Sequence, residues 1–117
     1  MKQFRFFHYF KFIIRYINKK QIMEIIKSEF KDYFKNNEKP IIEFNDRPKI
    51  EFTNELACAY AEGTGEGEDC TAEEQIEAFS YIAKNKLCRQ SGEWYRRTLL
   101  TFVEIGVMDI NGNINKK

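Results

Sequence analysis

Apolar residues recur at three- and four-residue intervals along most of this chain, the spacing that gathers them on one face of an α-helix. In residues 1–22, MKQFRFFHYFKFIIRYINKKQI, the pattern is carried by Phe6, Phe10, Ile13, Ile14 and Ile17. Arg5, His8, Lys11, Arg15 and Lys19 are interleaved with them, which predicts a basic amphipathic helix. Residues 24–35 repeat the pattern with Ile25, Ile26, Phe30, Tyr33 and Phe34 and predict a second helix. Residues 36–40 end it, because proline lacks an N–H and restricts the residue before it. The runs IIEF and KIEF, on either side of Asn45-Asp46-Arg47-Pro48, are instead β-prone and predict a short β-hairpin at about residues 41–52.

Beyond residue 53 the helical spacing returns. NELACAYAE follows a capping Thr53 or Asn54 and stops at the glycines at 63, 65 and 67. Thr71 precedes Glu74 by three positions, the spacing of a capping box, and opens a helix over 72–85 with Ile76, Phe79, Ile82 and Ala83 on one face. Trp94, Leu99, Leu100, Phe102 and Val103 define a last helix ending at Gly106, where an apolar Val107 fits a left-handed cap that folds back on the helix. The fold class is therefore mainly α: a small helical domain with one short β-hairpin and a C-terminal helical hairpin. Residues 1–22 form a basic aromatic segment, 23–108 a single domain, and 109–117, DINGNINKK, a flexible tail around an Asn-Gly turn.

The 117 residues are too few for two ordinary domains, yet enough to bury roughly two thirds of the unfolded surface. Charge adds a polarity that the near-neutral total of +1 conceals. Residues 1–22 hold six bases and no acid, so the rest of the chain carries thirteen bases against eighteen acids. Such asymmetry bears on partners. The apolar stripe of the head can pack on the rest of the domain, lie on an anionic membrane surface, or meet a nucleic-acid backbone with its bases and rings. Met23, directly after the change in composition, is also a candidate translation start. No apolar run reaches the roughly 20 residues that a spanning helix needs.

Familiar catalytic devices are hard to assemble here. His8 is the one histidine, which leaves no paired histidines and no Ser/His/Asp set. Cys58, Cys70 and Cys88 are odd in number and widely spaced, unlike a zinc site or a disulfide framework, and read as reduced thiols. Counted as a calcium loop from Glu62, the acidic stretch puts Gly67 sixth and Glu73 twelfth, as the template requires. It then sets Thr64 third and a charged Asp69 eighth, which favours a solvated acidic loop and leaves cation binding open. GTGEGED lacks a lysine and repels phosphate. No enzyme activity, cofactor or metal is expected.

The densest cationic-aromatic cluster is Arg89, Trp94, Tyr95, Arg96 and Arg97. Arginine and aromatic side chains offer planar area and directed donors, so this cluster is the candidate binding site. The competing assignment places Trp94 in the core and pairs the arginines with Glu93 or Asp69. Over residues 67–108, Glu73-Glu74, Ile76, Phe79, Ile82, Gly92, Tyr95-Arg96-Arg97 and Gly106 follow a shared pattern. In this respect the chain resembles a family of small uncharacterised proteins of tailed bacteriophages. Lys86 stands where that family has glycine, SGEW replaces its LQG run, and Arg96 replaces the glycine of its Y-G-R. The resemblance implies a phage accessory protein made in the host cytoplasm, marks Tyr95 and Arg97, and brings no catalytic residue. The expected function is non-enzymatic binding of a host or viral protein. The alternative is nucleic-acid binding through the head and Arg96/Arg97, and the third reading is membrane-surface association through residues 1–22.

Overall fold

The computed structural model describes residues 13–29, 31, 42, 50–87 and 92–115. They are mainly helical: α1 is Lys19–Glu29, α2 Asn54–Glu62, α3 Ala72–Lys84 and α4 Glu93–Ile105, with single 3₁₀ turns at Ile14–Tyr16 and Gly65–Gly67. Among the described residues no strand forms, so the β-hairpin expected at about 41–52 is not shown. Most of that segment, including its turn, lies outside the described residues. Ile42 is buried and donates its N–H to the carbonyl of Asn115 at 2.8 Å.

The helix ends follow local chemistry. Thr53 Oγ1 accepts from the Leu56 N–H at 3.1 Å and opens α2. Thr71 and Glu74 form the reciprocal capping box of α3, at 3.1 and 2.8 Å. Gly106, at φ 91°, closes α4, and Val107 turns back to donate to Phe102 O at 2.9 Å and is buried. This is the Schellman closure, which satisfies carbonyls that the helix leaves open. The end of α3 closes in the same way, Lys86 N donating to Ala83 O and Leu87 N to Ile82 O, but the left-handed residue there is Lys86, at φ 55°.

Of the helices expected over 1–22 and 24–35, residues 1–12, 30 and 32–35 lie outside the described residues, and the described part divides differently. A break falls at Ile17, which is extended (φ −120°, ψ 156°), and α1 then runs across positions 22 and 23. Asn18 and Gln21 are the cause. Asn18 Oδ1 accepts from Gln21 N at 2.8 Å and Gln21 Oε1 from Asn18 N at 2.9 Å, a second reciprocal cap that starts a helix at Lys19. Ile14, Ile22 and Ile26 all enter the core.

The core is centred on Phe79 of α3, whose ring lies 5.2 Å from Phe102, 5.8 Å from Tyr95 and 6.1 Å from Trp94, all on α4. Helix α2 packs closely on α3, and the connection between them passes against the backbone of α2 at Gly67. A Cβ at that position would stand 2.4 Å from Ala59 O and 2.5 Å from Tyr60 Cα, so backbone rests on backbone.

One carboxylate organises the C-terminal residues. Residues 107–115 form a tight turn in which Asp109 Oδ1 accepts from Asn111 N and Asn113 N and Oδ2 from Asn113 Nδ2. Met108 and Ile114 bridge antiparallel across it, and Ser80 Oγ donates to Gly112 O, tying the turn to α3. These three carboxylate bonds hold Asp109 below the usual range for an aspartate. Lys86 supplies a direct test of the helix-end geometry. Its left-handed backbone is one that glycine adopts without steric cost, so Lys86→Gly is expected to raise stability by about 1 kcal/mol in urea unfolding.

Candidate functional site

Helix α4 carries four of the five candidate residues, and its 3.6-residue period sends them to different surroundings. Trp94 and Tyr95 are buried. Their rings lie 4.1 Å apart and both meet Phe79. The Tyr95 hydroxyl reaches Cys58 O and Glu62 Oε2 on α2, each at 3.2 Å, so this side chain joins three helices. Burial first, then the neighbouring Cys58 and Glu62, push its phenol well above the ordinary value of 10.0. Thr98 and Thr101, buried on the same helix, return their hydroxyls to Trp94 O and Arg97 O at 2.7 and 2.8 Å.

Arg97 is half-buried and turned toward the N-terminal segment. Its guanidinium donates Nη1 to Ile14 O and Nη2 to Ile17 O, the latter at 2.9 Å. These carbonyls stand at the break between the 3₁₀ turn and α1, where helical partners run out. Two donors held in one plane suit two adjacent carbonyls, which a lysine could not match. Lys19 adds an exposed ion pair with Glu104 at 2.8 Å.

Arg96 points to solvent. With Gly92, Glu93, Leu99 and Leu100 of the α4 region, Ala83 and Lys86 of the α3 end, and Ile110 of the C-terminal turn, it lines an open groove of about 820 Å³. Leu100 is 43% and Ile110 55% exposed, so apolar area faces water beside two cations. The structure thus separates the sequence-predicted cluster. Trp94 and Tyr95 belong to the core, Arg97 clasps the N-terminal segment, Arg96 borders the groove, and Arg89 lies outside the described residues. Leu100, counted by its spacing with the apolar stripe of this helix, faces water instead, and Lys86 and Ile110 join it in the groove without having been site candidates. Leu100 had a signal: it falls four residues after Arg96 and seven after Glu93, in register with the solvent face.

The acidic stretch between α2 and α3 is committed locally. Gly63 closes α2 at φ 70°, Glu74 caps α3, and the Tyr60 carbonyl accepts from Gly63 N at 3.2 Å, Cys70 Sγ at 3.7 Å and Gln75 Nε2 at 3.5 Å. Among the described residues no group of three or more His, Cys, Asp or Glu side chains is placed to hold a metal ion. Among the described residues, Cys58 and Cys70 form no disulfide. Burial and then Glu74 push the Cys70 thiol up from 9.0 to about 12. No described helix is long and apolar enough to cross a membrane. Compared with protein-family models, curated proteins and solved structures, the chain matches none.

Arg96 and Arg97 are neighbours with opposite expectations. Arg97→Met removes two charged hydrogen bonds and is expected to cost about 2–3 kcal/mol in urea unfolding and to speed proteolysis within residues 13–18. Arg96→Ala should stay within about 0.5 kcal/mol of the parent. Alkaline pH gives a separate check. A proton held more tightly by the folded chain stabilises it fully below the unfolded-state value and is lost as pH rises, so stability should decline between pH 9.0 and about 12. Tyr95 acts in the same direction from 10.0 upward, and Cys70→Ala should flatten the part of the decline that begins at 9.0.

Proposed function

We propose that this chain is a non-enzymatic accessory protein of phage type that binds a host or viral protein, in the host cytoplasm and without a cofactor. The observation that carries this reading is the groove at the junction of α3, α4 and the C-terminal turn. Its exposed Leu100 and Ile110 offer apolar area to a partner side chain, while Lys86 and Arg96 supply directed donors at its border. That mixture, an apolar centre with arginine at hand, is what protein interfaces favour. The matching surface is an apolar residue flanked by carboxylates. The phage assignment rests on the resemblance over residues 67–108. The non-enzymatic reading rests on the single histidine of the chain and the structural employment of Tyr95 and Arg97.

Nucleic-acid binding through the head and Arg96/Arg97 is less well supported, because Arg97 spends both terminal nitrogens on backbone carbonyls. Capture from bacterial lysate, run in parallel with and without nuclease treatment, separates these readings. The parent chain is expected to retain a discrete protein through a high-salt wash, and Leu100→Asp with Ile110→Asp to weaken retention by about tenfold or more. Equal retention by the double variant, or capture of nucleic acid alone, rejects the proposal.

A further inference from the structure

Residues 1–23 contain no acidic side chain, the first being Glu24, and residues 1–16 contain seven aromatic rings among Lys2, Arg5, Lys11 and Arg15. The described part of this segment is held in a defined orientation. Arg97 clasps the carbonyls of Ile14 and Ile17, and Ile14 is buried in the core. The same turn therefore sets Ile13 and Tyr16 outward, at 43% and 79% exposure. These are two of the four large apolar side chains that are exposed among the described residues, and Lys20, also exposed, follows closely.

From this juxtaposition we infer that the N-terminal segment docks the protein on an anionic lipid surface, with Ile13 and Tyr16 entering the boundary between headgroups and acyl chains. Charge complementarity favours that occupant twice over. The acid-free head is drawn to anionic headgroups, and the body, with a net charge of −5 beyond residue 22, is repelled by them, so the molecule approaches head first. A nucleic-acid backbone would attract the same bases, but it offers nothing to Ile13, which has no π-face to stack, whereas a bilayer boundary rewards any buried apolar area. The segment lies on the surface without crossing it.

The test uses the full chain with vesicles of mixed phosphatidylglycerol and phosphatidylcholine, compared with pure phosphatidylcholine, and reads bound protein by co-sedimentation. The expected result is partition into the anionic vesicles that weakens with salt and is absent from the neutral ones. Ile13→Ser with Tyr16→Ser should lower that partition by about tenfold or more, with the urea midpoint unchanged because both side chains face solvent. Lys20→Glu, a change at an exposed position outside the turn, should lower it by about fivefold or more. Failure of the parent chain to bind anionic vesicles overturns the inference. So does equal binding by the double variant, which would leave only the charge attraction that any polyanion, nucleic acid included, provides.

Discussion

The ring of Phe79 sets the rotation of α4, and most of what the molecule presents to its surroundings follows from that. Trp94 and Tyr95 from the first turn of α4, and Phe102 from about two turns further on, approach Phe79 at centroid distances of 6.1, 5.8 and 5.2 Å. Edge and tilted contacts of this kind are directional, so a helix held by three of them is fixed about its own axis as well as in position. Once it is fixed, Arg97 faces the N-terminal carbonyls, and Arg96 and Leu100 face the groove. The Tyr95 hydroxyl reaches α2. A substitution that let α4 turn would rearrange the core, the clasp and the groove together.

Much of the fold was legible because helix ends are written locally. Thr71 with Glu74, Gly106 with Val107 and Thr53 before Leu56 each bring cause and effect within a few residues, and the structure forms all three. The Asn18–Gln21 cap is equally local, but it was masked by apolar residues that continue through it at helical spacing. The left-handed turn at Lys86 was hidden for the opposite reason, since lysine carries no signal for positive φ. The C-terminal turn depended on both levels: Asp109 organises it from within, but Ser80 on α3 anchors it.

The candidate site was legible in composition and not in geometry. A run of Trp, Tyr and two arginines looks like one patch, yet 100° per residue distributes it over the core, the N-terminal segment and solvent. Arg97 shows the limit clearly. Its partners lie 83 and 80 positions away, and they are backbone carbonyls, which have no residue type to recognise. The groove likewise joins residues from α3, α4 and the final turn, and its apolar members are ordinary helix and turn residues when read in order.

The Arg97 clasp also imposes a schedule on the growing chain. Ile14, Ile22 and Ile26 are made early, but the side chain that secures their segment to the domain lies far downstream on α4. At synthesis rates of about 5–20 residues per second, the interval between residues 26 and 97 is roughly 4–14 s. Throughout it α1 has no α4 to rest on, whereas α2 and α3 are both complete by residue 84, before α4 begins. The clasp is therefore among the last contacts that the growing chain can make, long after the residues it holds have been synthesised.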